Sequence, residues 1–182
     1  MRTFIAIEIS ADIKEHLSDI ARHLRRSDVD ASWIRPDNYH LTLKFLGEIN
    51  ETLIPPLTEK IDQLCEQHNA FTAHLYDLGF FPTPKRPRIL HAAVKEHQPF
   101  TQIALHLDRL VQPLGFSPEQ RFHPHITLAR LKSSNNIDKL RNLMVKAALD
   151  LHFDVSAVSL FCSTLHREGA QYEPLYKRPL KA

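Results

Sequence analysis

Glycine is scarce in this chain of 182 residues, which holds only Gly47, Gly79, Gly115 and Gly169. No two lie close enough to build a glycine-rich phosphate loop, so dinucleotide-fold and P-loop chemistry are excluded. Cysteine is scarcer still. Cys65 and Cys162 fit no Cys-x-x-Cys or Cys/His ligand spacing and read as two small reduced residues of an ordinary core. Net charge is nearly absent as well, 23 Lys and Arg against 21 Asp and Glu giving +2. That field is too weak for tracking long duplexes, although it leaves room for a local anion site. No apolar run approaches the ~18 residues of a membrane span, and the apolar stretch behind Met1 is too short for a secretory signal. A cytoplasmic chain with no membrane contact is expected.

The material that is present suffices for a fold without disulfides or metals. At 182 residues and 43% hydrophobic composition, one domain or two intimate lobes can bury a normal core. Period-2 alternation predicts strands over Thr3–Ile9, His40–Leu46, Phe71–Phe81, Arg88–Val94, His125–Leu131 and Leu151–Phe161, with a last extended piece near Tyr172–Tyr176. Helical spacing predicts four helices. One runs from an N-cap at Ser10 to about Arg25, one has Pro55 and Pro56 in its first turn, one opens at Pro99, and one lies around Ile137–Ala147.

This order of elements occurs twice. Thr3 and Arg88 are 85 positions apart, and so are His40 and His125. The chain therefore reads as a duplicated unit of the α+β class. Its repeats cover approximately 3–80 and 88–161 of a single bilobal domain, 1–182, with the lobes intertwined. The expectation is two mainly antiparallel sheets related by a pseudo-two-fold, helices outside and a cleft between the lobes. The join, Phe81–Arg88, carries three prolines and three cations, and reads as an exposed, stiff connection that could also touch RNA phosphates.

Within the repeats, His40-Leu41-Thr42-Leu43 and His125-Ile126-Thr127-Leu128 occupy equivalent places and are the chain's two His-x-Thr matches. Alternation puts each His and Thr on one strand face, opposite the apolar residues of the core. Brought together by the pseudo-two-fold, two imidazoles and two hydroxyls would surround one point. An imidazole titrates near neutral pH, so one ring can act as base while the other acts as acid. The hydroxyls can donate to nonbridging phosphoryl oxygens. A lone His on a strand is ordinarily structural; two symmetric copies favour catalysis. Zinc fits poorly, because each tripeptide offers one good ligand and no Cys, Asp or Glu stands at ligand spacing.

These residues resemble the two-histidine phosphoesterase superfamily, in particular its RNA 2′,3′-cyclic phosphodiesterases, historically called 2′-5′ RNA ligases. The likeness rests on Thr3–Ile7, Asn38–Glu48, Phe122–Arg130 and Tyr172–Leu180, and spans essentially the whole chain. It implies hydrolysis of 2′,3′-cyclic phosphate RNA ends to 2′-phosphates, without metal or nucleotide cofactor. It also implies His40 as proton donor to the leaving 3′-oxygen and His125 as the base that activates water; the symmetry of the sequence leaves these two roles open. Two alternatives stand beside it: ATP-independent 2′-5′ ligation in the reverse direction, and a noncatalytic RNA-end binder. A monomer acting on RNA ends, from tRNA fragments to small cyclic nucleotides, is expected.

Several neighbours are candidates for substrate binding. Arg130 could hold phosphate, although strict alternation points it away from His125. His91 and Phe4 could stack on a base if their strand faces line the cleft, with ordinary packing as the competing reading. Trp33 and Tyr39 are aromatic candidates for stacking on RNA, with the core reading preferred. His123 serves the approach of the chain through Pro124. His152 and the other scattered histidines show no constellation in the sequence.

Overall fold

A computed structural model describes residues 1–167 and 169–182. Its elements are β1 (Arg2–Glu8), α1 (Ala11–Arg25), β2 (Ala31–Trp33), β3 (His40–Glu48), α2 (Ile54–Cys65), β4 (Phe71–Thr83), β5 (Arg86–Val94), α3 (His97–Val111), β6 (His125–Leu131), α4 (Ile137–Lys146), β7 (Leu151–Val155), β8 (Ala157–His166) and β9 (Gly169–Pro179). The fold is α+β. The main strand order is β7-β4-β5-β6-β3-β1-β8-β9, with β2 paired to β6. All named strand pairs are antiparallel. Two four-stranded halves meet where β3 and β6 touch through one register pair, Leu41 and Ile126.

That order reveals an exchange. By sequence, β1, β3 and β4 belong to the first repeat and β5, β6 and β8 to the second. In space β1 pairs with β8, and β5 pairs with β4. Each half of the sheet thus takes its third strand from the other repeat.

The sheet has two faces with different tasks. The four helices direct Ile13, Leu17 and Leu24, Leu57, Ile61 and Leu64, Phe100, Ile103 and Leu107, and Leu140 into one continuous core. Ile5, Leu41, Leu90 and Ile126 meet them from the strands. On the opposite face of β1, Phe4 and Ala6 form a separate small cluster with Phe161 and Tyr172. Burial on both faces accounts for the almost unbroken apolar run of β1, in which Phe4 through Ile7 are all buried.

Four details differ from the pattern in the sequence. Phe81–Arg88 is no linker: β4 and β5 pair out to Thr83 and Arg86, making a hairpin tip at Pro84 and Lys85. The expected strand over Leu151–Phe161 divides at Ser156 into β7 and β8, which lie on opposite outer parts of the sheet. β2 has three residues, too few for alternation to register. Strict alternation also fails within β3 and β6. Opposite β1, the pairs Ala6–Thr42 and Ile5–Lys44 leave Leu43 as an extra residue. Opposite β5, the pairs His91–Thr127 and Leu90–Ala129 leave Leu128 extra at the equivalent position. Each bulge exchanges the two faces for the residues beyond it.

No helix among the described residues is long and apolar enough to cross a membrane. Cys65 is buried and Cys162 half-buried, both as free thiols.

Candidate active site

The concave face holds a cavity of about 480 Å³ lined by His40, Thr42, His125 and Thr127. The strand meeting at Leu41 and Ile126 brings the two tetrads together. Both histidines are tied in the same manner. His40 Nδ1–H donates to the Asn38 carbonyl at 2.7 Å, and His125 Nδ1–H donates to the His123 carbonyl at 2.6 Å. Each acceptor belongs to the residue two positions upstream, so the approach to the strand fixes ring and tautomer, leaving Nε2 for chemistry. His123 takes part through its backbone, in keeping with its expected role in the chain's approach. The His40 Nε2 lies 3.0 Å from Thr42 Oγ1, accepting from that hydroxyl when the ring is neutral. Asn38 is itself anchored, its Nδ2 donating to the Ala170 carbonyl at 2.6 Å.

Burial dominates the titration of both rings. It pushes His40 down to about 4, with charge on Lys14, then His125 and Arg130, adding to the fall. His125 is lowered too, first by burial and then by the neighbouring His123 and Arg130. The hydrogen bonds to Asn38 and His123 oppose these effects without cancelling them.

The bulges decide what else reaches the cavity. Beyond Leu128, Ala129 turns into the core and Arg130 turns to the cavity wall. Beyond Leu43, the equivalent change buries Lys44 and exposes Phe45, which lines the same cavity. The alternation that directed Arg130 away from His125 is thus reversed by one unpaired residue.

Phe4 lines the cavity and packs its ring 4.8 Å from His40, within an aromatic group completed by Phe45, Phe161 and Tyr172. Tyr172 meets His40 edge-on at 5.2 Å. His91 does not form part of the lining: it is buried behind His125, with ring centroids 5.4 Å apart, and Phe81 covers it edge-on at 4.0 Å. Gly79 makes that place possible. A Cβ there would collide with His91 Cε1, so the cross-strand position has room only for the ring. His91 Nδ1 has no hydrogen-bond partner among the described residues, and burial lowers the ring to about 3. Trp33 is half-buried beneath Arg25, and Tyr39 is fully buried, as the core reading had it.

Arg2, Asn38, Phe45 and Tyr172 are cavity residues that the sequence did not single out. Asn38, Phe45 and Tyr172 fall inside the segments that carried the resemblance, which is where a signal existed; the facing of Phe45 also needed knowledge of the bulge.

Fold and cavity together define a two-histidine phosphoesterase. Residues 7–91 and 93–172 match the family described as LigT like Phosphoesterase, and the chain belongs to that family. Among its relatives, the RNA 2′,3′-cyclic phosphodiesterase of Thermotoga maritima is 30% identical over 97% of this chain and 94% of its own length. That of Aeropyrum pernix is 32% identical over 88% and 93%. Among solved structures, TT0787 of Thermus thermophilus superposes with a TM-score of 0.83 at 26% identity, and Escherichia coli LigT with 0.78 at 25%, each covering 100% of this chain and 98% of its own. LigT has also been solved with 3′-AMP.

Proposed function

We propose that this protein opens 2′,3′-cyclic phosphate ends of RNA by water, leaving a 2′-phosphate and a free 3′-hydroxyl. The observation that carries the reading is the pair of imidazoles in one cavity, each held through Nδ1 with Nε2 left for proton transfer. The relatives' shared activity supports it.

In this reading His125 Nε2 takes a proton from water as its oxygen attacks phosphorus. His40 Nε2–H gives a proton to the 3′-oxygen as the bond from phosphorus to that oxygen breaks. This assignment follows the family likeness. The Thr42 and Thr127 hydroxyls donate to the nonbridging oxygens, where negative charge is held in the transition state. Arg130 supplies a charge-assisted bond to the same group. Phe4 and Tyr172 shape the wall beside His40, offering aromatic surface to a nucleoside. RNA ends ranging from tRNA fragments to small cyclic nucleotides are the proposed substrates of a monomer. That substrate class supports a cytoplasmic location.

The test is turnover of a synthetic oligonucleotide ending in a 2′,3′-cyclic phosphate, in excess EDTA, with the position of the product phosphate determined. Hydrolysis to the 2′-phosphate is expected. His40→Ala and His125→Ala should each lose about 10²- to 10⁴-fold in rate. Undiminished turnover in either variant would remove the acid/base pair. Binding without product would leave an RNA-end receptor, and joined strands in the presence of 5′-hydroxyl RNA would reveal ligation.

A further inference from the structure

Away from the cavity, at the outer edge of the sheet, His74 of β4 stands directly opposite His152 of β7. Their rings are stacked, with centroids 4.2 Å apart and planes 10° from parallel. Asp150, immediately before β7, joins them: His74 Nε2–H donates to its Oδ1 at 2.6 Å. One donor atom from each of the three residues lies within 4.8 Å of the other two. None of the three lines the two-histidine cavity. The sequence showed no constellation around His152, because its partner lies 78 positions upstream and is brought near only by the β4–β7 pairing.

We propose that His74, Asp150 and His152 form a surface site for a divalent transition cation, Zn²⁺ in the first instance. Two imidazoles and a carboxylate are a three-ligand set that zinc completes with water in the fourth position. Imidazole donors favour Zn²⁺, Cu²⁺ or Ni²⁺ over Mg²⁺ and Ca²⁺, which take oxygen ligands. The frame is fixed at its inner side. The His74 backbone N–H donates to Glu96 Oε2 at 2.8 Å, and its carbonyl accepts from Lys95 N at 2.9 Å, so β4 holds that ring in register. Asp150 and His152 are exposed and can adjust. Two exposed groups must move: the carboxylate withdraws from its short contact with His74 Nε2, and the His152 ring turns out of its stack, since planes 10° apart cannot both contain one ion, before the three donor atoms lie ~2.0–2.2 Å from it. The cation takes the position of the proton now shared between His74 and Asp150, and it bridges edge strand β7 to β4.

The experiment is calorimetric titration of the full chain with ZnCl₂ in a buffer that does not chelate metal, paired with thermal unfolding with and without zinc. Because the catalytic imidazoles could also take zinc, the His40→Ala/His125→Ala double variant is titrated in parallel. Saturation at one equivalent that persists in this double variant is expected. His74→Ala and His152→Ala should each weaken binding about tenfold or more, and Asp150→Asn should weaken it as well. The unfolding midpoint should rise with zinc in the unaltered chain and stay unchanged with magnesium. In the exposed His152→Ala variant the zinc-free midpoint should match the unaltered chain while the zinc response shrinks, separating a lost ligand from a lost fold. Absence of saturable binding, binding indifferent to His74 and His152, or binding lost only with His40 and His125 would overturn the site. Hydrolysis of the cyclic phosphate in EDTA should be unchanged by His74→Ala, so failure of the site leaves the proposed activity untouched.

Discussion

At the scale of single residues, the same burial that orients the two imidazoles deprives them of protons. His40 is held at about 4 and His125 below its ordinary value, so in the free protein both rings are neutral at pH 7. Catalysis by one acid and one base draws on the singly protonated pair. Its population falls tenfold per unit as pH rises past the higher of the two values. The profile of kcat/KM, which reports the free enzyme, should therefore peak on the acid side of about 6.5 and decline through neutrality. An anionic phosphodiester in the cavity favours the protonated ring, so the kcat profile should lie at higher pH. Initial rates from about pH 4 to about pH 8 check both, and a kcat/KM that climbs through neutrality would contradict the assignment.

At the scale of elements, the two bulges have more effect on the site than any helix. Without Leu128 as an unpaired residue, Arg130 would point into the core beside Ile126; with it, the guanidinium shares a wall with His125 and Thr127. Replacing Arg130 by Ala should reduce kcat/KM about ten- to hundredfold, the worth of a hydrogen bond to a charged group. It should also shift the pH profile upward, because the cation depresses both histidines. Arg130→Lys should recover part of the rate while lacking the planar fork. Steady-state kinetics on one cyclic-phosphate substrate measures all three effects. The bulges also mark a boundary of what sequence alone can disclose. His40, Thr42, His125 and Thr127 were legible because they lie before the extra residue, where alternation holds, and because they recur at one offset. The facing of Arg130 and Phe45 was not, since an unpaired residue leaves no mark in a pattern of period two. His91 sits on its strand as alternation requires, yet only coordinates show Gly79 and Phe81 enclosing it. Strands and helices with long apolar stripes were plain, whereas the break at Ser156 falls inside a continuous β-like run and depends on which neighbours each part finds.

At the scale of the whole molecule, one polar contact links the two halves through the core. Lys44, buried by its bulge in β3, pairs with Asp108 of α3 and donates to the Ser117 carbonyl at 2.8 Å. Asp108 Oδ2 accepts from Glu119 N at 2.8 Å. The pair thus binds the loop that leads to His123 and His125. Lys44→Met leaves the Asp108 carboxylate buried without its cation and should cost about 3–5 kcal/mol, read from urea denaturation midpoints. Lys44→Met/Asp108→Leu should regain most of that loss, because removing both charges ends the desolvation penalty. The crossing of β4 and β8 between repeats bears on how such a molecule can be divided. A cut at the hairpin tip between Pro84 and Lys85 would yield two pieces, each missing a partner strand for its own sheet and carrying the one its counterpart requires. Neither piece alone should hydrolyse a cyclic phosphate, whereas mixing them should restore turnover by mutual complementation. Such rescue would make the chain the equivalent of a tethered pair of interlocked subunits.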